Sequence, residues 1–217
     1  MISTRNEMYS GSTYAGGPTG GSPFQSLLYT VFQRPREEDG RGMVVGITSA
    51  DSGAGVSYVT RNLVHELGKW KVNAVAQVNV RALRNLGDPS VETFQESMSR
   101  STGNLFELKA SGAPLILADT AGRWDGSRQY RQDCIELLRR EFDYAIIDCP
   151  SLKESGELLS IAPFLDGVIL VVEANKTQRA QLAHVERTIE GAQGKILGHI
   201  LNKRTYEIPT WVYRRIS

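Results

Sequence analysis

A glycine-bearing loop between a predicted strand and a predicted helix is the part of the sequence with the clearest chemistry. Gly53-Ala54-Gly55-Val56-Ser57 follows the apolar segment 43 to 48 and opens the amphipathic segment 56 to 68. Small residues at such a turn let backbone N–H groups and a helix N-terminus surround a phosphate. In the phosphate-loop pattern GxxxxGKS/T, however, the lysine position holds Val56, and Ala50 replaces the first glycine. The sequence therefore predicts a phosphate loop without its lysine.

The missing lysine affects binding and catalysis differently. A charge-assisted hydrogen bond contributes about 1.5 to 3 kcal/mol, so nucleotide affinity is predicted to fall by about one to two orders of magnitude. Phosphoryl transfer should lose more, because the lysine also stabilises the transition state. A nest of backbone amides can still hold an anion. Gly53 and Gly55 also have a structural explanation, since glycine suits any tight turn. The sequence therefore leaves open whether the loop binds a nucleotide.

Asp148 is the second candidate site residue. It ends the segment 144 to 147, which is continuously apolar. The carboxyl end of a buried strand is where open α/β sheets bind ligands, although an Asp there can equally cap the next segment. Arg81 and Arg84 follow another predicted strand and could add positive charge, but exposed arginines are usually solvated.

Composition excludes several classes of function. The 217 residues carry a formal charge of +1 and a hydrophobic fraction of 41%, which suits a globular protein and gives no reason to expect a nucleic-acid partner. Cys134 and Cys149 form no CxxC pair and predict reduced thiols. The longest apolar run, 168 to 172, is far shorter than the ~20 residues of a membrane span, and no signal peptide is visible.

The order of segments predicts four regions. Residues 1 to 21 are rich in Gly, Ser and Thr and predict a flexible tail. Residues 22 to 42 predict a helix and a charged linker; the helix starts at Ser22-Pro23 and carries an apolar stripe of Phe24, Leu27, Leu28 and Val31. Residues 43 to 203 predict one α/β domain, and residues 204 to 217 a C-terminal tail.

Strands and helices alternate through the third region. Strands are predicted near 43 to 48, 72 to 78, 115 to 118, 144 to 148, 167 to 172 and 195 to 201. Helices are predicted near 56 to 68, 89 to 99, 127 to 140, 154 to 164 and 177 to 191. Two of the strands are apolar without alternation, which indicates burial on both faces. The predicted fold is α/β: a doubly wound, mainly parallel sheet with helices on both faces.

Three further segments carry a family resemblance. Residues 142 to 150 resemble a strand that ends in a Walker-B-type Asp and Pro, residues 165 to 172 resemble the strand that follows, and residues 196 to 202 resemble a "GxVLN" strand. With the loop, they make the chain similar to the MinD/ParA-related P-loop group, and within it to the bacterial tyrosine kinases (CpsD/CapB-like) of capsule and exopolysaccharide assembly.

The resemblance implies a ligand and partners. The ligand would be ATP or ADP with Mg²⁺, with Gly53 to Ser57 around the phosphates, Ser57 and Asp148 on the metal, and Asn202 near the base. Asp148 would also be the candidate catalytic residue. Ser57 has a simpler explanation as a small first-turn residue, and Asn202 as a loop support. The implied protein is cytoplasmic, forms homo-oligomers, and binds the cytoplasmic part of a membrane polysaccharide co-polymerase, which would recruit it to the inner face of the membrane.

Three departures from the family predict a loss of activity. The phosphate lysine is Val56, and the second strand has Ala76 and Val78 where the DxD-type A′ aspartates are expected. The tyrosine-rich tail is reduced to Tyr206 and Tyr213. The sequence therefore predicts a catalytically degenerate protein with a regulatory or interaction role.

Two alternatives remain. One is an active P-loop ATPase or tyrosine autokinase that borrows an arginine or a neighbouring subunit's lysine. The other is a Rossmann dinucleotide binder, since Gly53-Ala54-Gly55 is a GxG after a strand. That signal is weak, because Tyr58 holds the third glycine position and no acidic residue follows the second strand.

Overall fold

The computed structural model describes residues 24, 27–32, 41–69, 74–86, 97–108, 124 and 126–204. Its strands are β1 (Met43–Ser49), β2 (Val75–Asn79), β3 (Met98–Thr102), β4 (Leu105–Leu108), β5 (Tyr144–Asp148), β6 (Gly167–Glu173) and β7 (Ile196–Asn202). Its α-helices are α1 (Val56–Gly68), α2 (Val80–Arg84), α3 (Arg128–Glu141), α4 (Glu157–Ile161) and α5 (Arg179–Gly191). A π-helical turn, Leu28–Phe32, precedes β1, and a 3₁₀ turn, Ala162–Phe164, follows α4.

The strands form one sheet in the order β3-β4-β2-β5-β1-β6-β7. Every pairing in it is parallel except β3 with β4. The neighbours of β1 are β5 and β6, so β2 does not pair with β1 as it does in the Rossmann strand order. The topology therefore argues against the dinucleotide-binding alternative and confirms the predicted mainly parallel sheet.

Helices cover both faces of this sheet. On one face, α1 and the π-helical turn pack on alternate residues of the central strands, including Val45, Ile47 and Ile146. On the other face, helices α3 and α4 pack on the intervening residues, including Val44 and Ile147. The continuous apolar runs are explained by this arrangement, because successive side chains of one strand enter two different cores.

The N-terminal apolar stripe is buried on the α1 face. Phe24, Leu27, Leu28 and Val31 each expose 8% or less of their surface and join the same cluster as Leu63 of α1. The last residues of this segment form a π-helical turn rather than the expected α-helix. Tyr144 hydroxyl donates to the carbonyl oxygen of Phe32 at 2.7 Å, which ties the turn to β5.

Several predicted boundaries need correction. The helix predicted near 89 to 99 is wrong at its end, because Met98 and Ser99 lie in β3. The β3–β4 hairpin was not predicted, although Gly103, with φ of 59°, marks its turn. The helix predicted near 154 to 164 is shorter, because Pro163 lies in the 3₁₀ turn that ends it.

Some predictions lie outside the described residues. They are the tail 1 to 21, most of the linker, the strand near 115 to 118, and the C-terminal tail with Tyr206 and Tyr213. Within the described part of the chain, no helix is both long and apolar enough to cross a membrane.

Candidate functional site

The loop between β1 and α1 has the backbone conformation of an anion cradle. Gly53 and Gly55 have φ of 80° and 93°, a left-handed region that non-glycine residues rarely adopt. Gly55 is the N-cap of α1, and the backbone N–H of Val59 closes the first helical turn on its carbonyl oxygen at 2.9 Å. The N–H groups of the first turn have no intrahelical acceptor, so they remain for an external anion.

Residues at the end of β7 hold this loop. Asn202, 8% exposed, donates from Nδ2 to the carbonyl oxygen of Ala54 at 2.8 Å. Lys203, at φ of 57°, donates from Nζ to the carbonyl oxygen of Gly53 at 2.5 Å and lies 3.2 Å from Oε1 of Glu173. Asn202 thus has the loop contact that the sequence left as an alternative to a base contact.

Ser57 and Asp148 meet at the base of the loop. Asp148 is 8% exposed at the carboxyl end of β5, and its carboxylate accepts a hydrogen bond from the Ser57 hydroxyl. Burial raises the pKa of Asp148 above its ordinary value, while the Ser57 hydrogen bond and the positive charge of Arg61 oppose that rise. Ser57 and Arg61 are one helical turn apart, so both lie on the side of α1 that faces Asp148. Ser57 and Asp148, the two residues predicted for the metal, therefore interact and border the same cavity.

The end of β2 corrects the sequence assignment of the missing aspartates. Ala76 and Val78 are fully buried in the core on the sheet face opposite α1, so no side chain at these positions would reach the loop. Strand alternation turns Gln77 and Asn79 to the α1 face, and Asn79 lies beside Asp148 in the register of β2 and β5. Both positions carry amides rather than carboxylates. Asn79 Oδ1 accepts from the backbone N–H of Arg81 at 2.9 Å as the N-cap of α2.

The segment after β5 forms the opposite wall. Its backbone reaches the loop where Leu152 N–H donates to Ser49 at 3.0 Å, and Lys153 Nζ lies 3.7 Å from Asp51 Oδ1. Between these elements is an open cavity of about 400 Å³. Its lining comprises Ser49, Ser52, Gly53, Gly55, Val56, Ser57, Tyr58, Asn79, Arg81, Asp148, Cys149, Pro150, Ser151 and Glu154.

The lining brings most of the predicted site together. Gly53, Gly55, Val56, Ser57 and Asp148 border the cavity, whereas Asn202 supports the loop from behind and Ala54 is buried. Arg81 borders the cavity and lies 3.8 Å from Glu157 Oε2, but Arg84 turns to the same glutamate at 3.3 Å and is not part of the wall. The roles that the sequence suggests for these residues remain predictions.

Cys134 and Cys149 are both buried, and no disulfide joins them. Cys149 borders the cavity, and its burial, followed by the charges of Asp148 and Glu157, raises the pKa of its thiol well above the ordinary value. A thiol in this environment stays protonated at neutral pH and is a poor nucleophile.

The donor set fits a nucleotide phosphate better than a magnesium ion. Phosphate needs the glycine cradle and the helix N-terminus, and both are present. Mg²⁺ is usually held by one or two carboxylates together with phosphate oxygens, but here Asp148 interacts with Ser57 while the neighbouring strand end carries the amide of Asn79. Nowhere in the described ranges do three His, Cys, Asp or Glu side chains form a cluster that could hold a metal ion.

Lys203 and Arg61 were missed by sequence reasoning. Lys203 follows the "GxVLN" segment and carries no motif signal, since its role depends on a positive φ and on how β7 ends beside the loop. Arg61 was readable as the residue four positions after Ser57. Its relation to the site becomes visible only in the fold, where the sheet places Asp148 next to that face of α1.

A parallel sheet with a glycine loop at the carboxyl end of β1 and an Asp at the end of the neighbouring β5 defines a protein of P-loop NTPase-like fold. The kinase domain of Escherichia coli tyrosine kinase ETK has this fold, with a TM-score of 0.64 at 14% identity over 86% of this chain and 77% of that one. The septum site-determining protein MinD from Pyrococcus horikoshii, complexed with Mg-ADP, has a TM-score of 0.57 at 19% identity, covering 81% and 77% of the two chains.

Sequence similarity is found over a shorter part of the chain. Tyrosine-protein kinase CpsD from Streptococcus agalactiae is 34% identical over 82 residues, which is 38% of this chain and 35% of that kinase. The succinoglycan biosynthesis transport protein ExoP from Rhizobium meliloti is 38% identical over 72 residues, 32% of this chain and 9% of ExoP. No protein-family model matches. The chain is thus similar in sequence to a bacterial tyrosine kinase and to a succinoglycan biosynthesis transport protein, and its matched region spans about a third of CpsD and about a tenth of ExoP.

Proposed function

We propose that the chain is a catalytically degenerate relative of the bacterial tyrosine kinases that acts as a regulatory or interaction subunit in exopolysaccharide or capsule synthesis. The relatives named CpsD and ExoP support the pathway. The proposed partner is the cytoplasmic part of a membrane polysaccharide co-polymerase, which would bring a cytoplasmic protein to the inner face of the membrane. Homo-oligomers are also proposed.

The observation that carries this proposal is that Val56 and Asn79 border the same cavity. Val56 is partly buried and packs against the apolar cluster under α1 while it borders the cavity, so an apolar side chain occupies the lysine position. Asn79 occupies the strand end beside Asp148 with an amide whose oxygen already caps α2. The phosphate cation and the second carboxylate are therefore missing from the same site, and both stabilise phosphoryl transfer.

A second candidate is an ATPase or autokinase with substituted residues, and two contacts favour it. Ser57 and Asp148 keep the hydrogen bond expected of a magnesium-binding pair. Lys203 also brings an amine to the loop, yet its Nζ is directed to the carbonyl oxygen of Gly53 and to Glu173 rather than into the cavity. This lysine would have to leave both acceptors before it could contact a phosphate.

The experiment is a phosphate-release assay with Mg-ATP on the purified protein. We expect the protein alone to turn over ATP no faster than a buffer blank. The protein should also bind the cytoplasmic segment of a co-polymerase, and turnover should stay at the level of the blank in that complex. Asp148→Asn is the control for a contaminating ATPase. Release that exceeds the blank and disappears in Asp148→Asn would support the second candidate instead.

A further inference from the structure

Residues 151 to 154, between β5 and α4, form a strap that runs alongside the loop between β1 and α1. The backbone N–H of Leu152 donates to the carbonyl oxygen of Ser49 at 3.0 Å. The next residue, Lys153, brings its Nζ to 3.7 Å from Asp51 Oδ1. The strap and the loop are thus joined through backbone and side chains, and they border the same cavity.

Glu154 adds an exposed carboxylate to the wall of this cavity. Its backbone N–H donates to the carbonyl oxygen of Ser151 at 2.9 Å, and its Oε2 accepts from the Ser151 hydroxyl at 3.1 Å. The hydroxyl of Ser52, in the loop, donates to the same carboxylate, and the hydrogen bonds from Ser52 and Ser151 lower the pKa of Glu154. Glu154 is therefore ionised at neutral pH and is bonded to both the strap and the loop.

The charged groups on the cavity wall disfavour an incoming anion. The lining formed by the described residues contains two carboxyl groups, Asp148 and Glu154, and one guanidinium, that of Arg81. Ser52 immediately precedes Gly53, so its hydroxyl lies at the start of the glycine cradle. A phosphate that enters the cradle through the cavity would meet the carboxylate that this hydroxyl holds, and two anions at short range repel each other.

We propose that Glu154 is an internal competitor of phosphate, and that the strap weakens the binding of phosphate-bearing ligands until it is displaced from the loop. This inference rests on the proposed function, because it names the regulation of the same degenerate site. The carboxylate accepts from the loop hydroxyl as a phosphate oxygen would, so either of the two anions satisfies the same donor. The affinity of the site for phosphate therefore depends on where the strap lies.

The test is calorimetric titration of ATP into the full-length protein in magnesium-free buffer, with wild type and Glu154→Gln. We expect Glu154→Gln to bind ATP about threefold more tightly or better, because the competing charge is removed while the shape of the side chain is kept. Glu190→Gln is the matched control: it removes the same charge from an exposed position on α5 that does not border the cavity, and it should leave the affinity unchanged. Circular dichroism checks that both variants fold.

Salt separates a short-range competitor from a distant charge. The Debye length falls from about 10 Å at about 0.1 M salt to about 3 Å at about 1 M, so high salt screens long-range repulsion much more than a direct contact. We expect the ratio of the affinities of Glu154→Gln and wild type to persist at high salt.

Equal affinities at low salt, a ratio that falls to one or binding that is lost at high salt, and no binding of ATP by either protein would each overturn the inference. Phosphate release from Mg-ATP above a buffer blank is a separate readout. It would reject the proposed function and leave the competition at Glu154 standing.

Discussion

Asn202 and Gly55 are in such close contact that a Cβ atom at position 55 would overlap the Nδ2 atom of Asn202. The same Nδ2 donates to the carbonyl oxygen of Ala54 at 2.8 Å. The last residue of β7 therefore fixes the loop from behind, and it requires a glycine in front of it. This contact, together with the positive φ, explains why position 55 is a glycine.

Gly55→Ala and Asn202→Ala should destabilise the protein less than additively. Gly55→Ala adds a Cβ atom in a left-handed conformation, at about 1 to 2 kcal/mol, and displaces Asn202. Asn202→Ala removes a buried hydrogen bond worth about 1 kcal/mol and also the atom that the new Cβ would meet. Urea unfolding of both single variants and the double variant gives the coupling free energy. Strict additivity would mean that the loop and β7 do not interact as described.

Val56→Lys should raise the affinity for ATP by about one to two orders of magnitude without restoring turnover. Binding gains a charge-assisted contact, whereas catalysis still lacks a carboxylate at Asn79. Calorimetric titration and phosphate release measure the two effects separately, with Val56→Met as a control of similar length. An unchanged affinity would indicate that the loop is closed to phosphate, and a gain of turnover would indicate that another group already holds the metal.

Asp148→Asn should stabilise the fold at neutral pH. Burial raises the pKa of Asp148, so the folded state binds more protons than the unfolded state at mildly acidic pH. The free energy of unfolding of the wild type therefore decreases as the pH rises through the folded-state pKa. Asp148→Asn should therefore have a higher free energy of unfolding than the wild type at pH 7, and this difference should shrink as the pH falls toward the ordinary carboxyl pKa. Urea unfolding across this range tests it, with Asp133→Asn on the exposed side of α3 as control; parallel pH curves for wild type and Asp148→Asn would contradict it.

Asp166→Ala should cost more stability than the loss of a surface charge. One carboxylate oxygen, Oδ2, accepts from the backbone N–H of Val44 at 2.7 Å and lies 2.7 Å from Arg139 Nη1. Removing the carboxylate leaves that N–H without its acceptor, at about 1 to 3 kcal/mol, while the guanidinium of Arg139 keeps its hydrogen bond to the carbonyl oxygen of Phe164. Glu136→Ala, which loses only more exposed ion pairs, should cost less than about 1 kcal/mol. Equal effects in urea unfolding would contradict the assignment.

The positions of the central strands and the mainly parallel sheet were readable from the sequence because they follow from burial. The segments around β5 and β6 are apolar throughout, and both strands lie in the middle of the sheet between two cores. The β3–β4 hairpin was missed because its strands are short and partly polar, although Gly103 marked the turn.

The candidate site was predicted less completely. The loop and Asp148 were found, since each ends or follows an apolar strand. The direction of the β2 side chains was not predicted. A shift of one residue separates the buried Val78 from Asn79, which lies at the cavity wall. The roles of Lys203 and Arg61 depend on elements that are far apart in sequence, and a sequence pattern does not show which of these elements meet in the fold.

The most direct test of the proposed lack of catalysis is the intact mass of the protein after incubation with Mg-ATP, followed by mapping of its tyrosine peptides. We expect no added phosphate, because no lysine is among the described residues that line the cavity and the strand end beside Asp148 carries the amide of Asn79. Phosphate on Tyr206 or Tyr213 that disappears in Asp148→Asn would contradict the account.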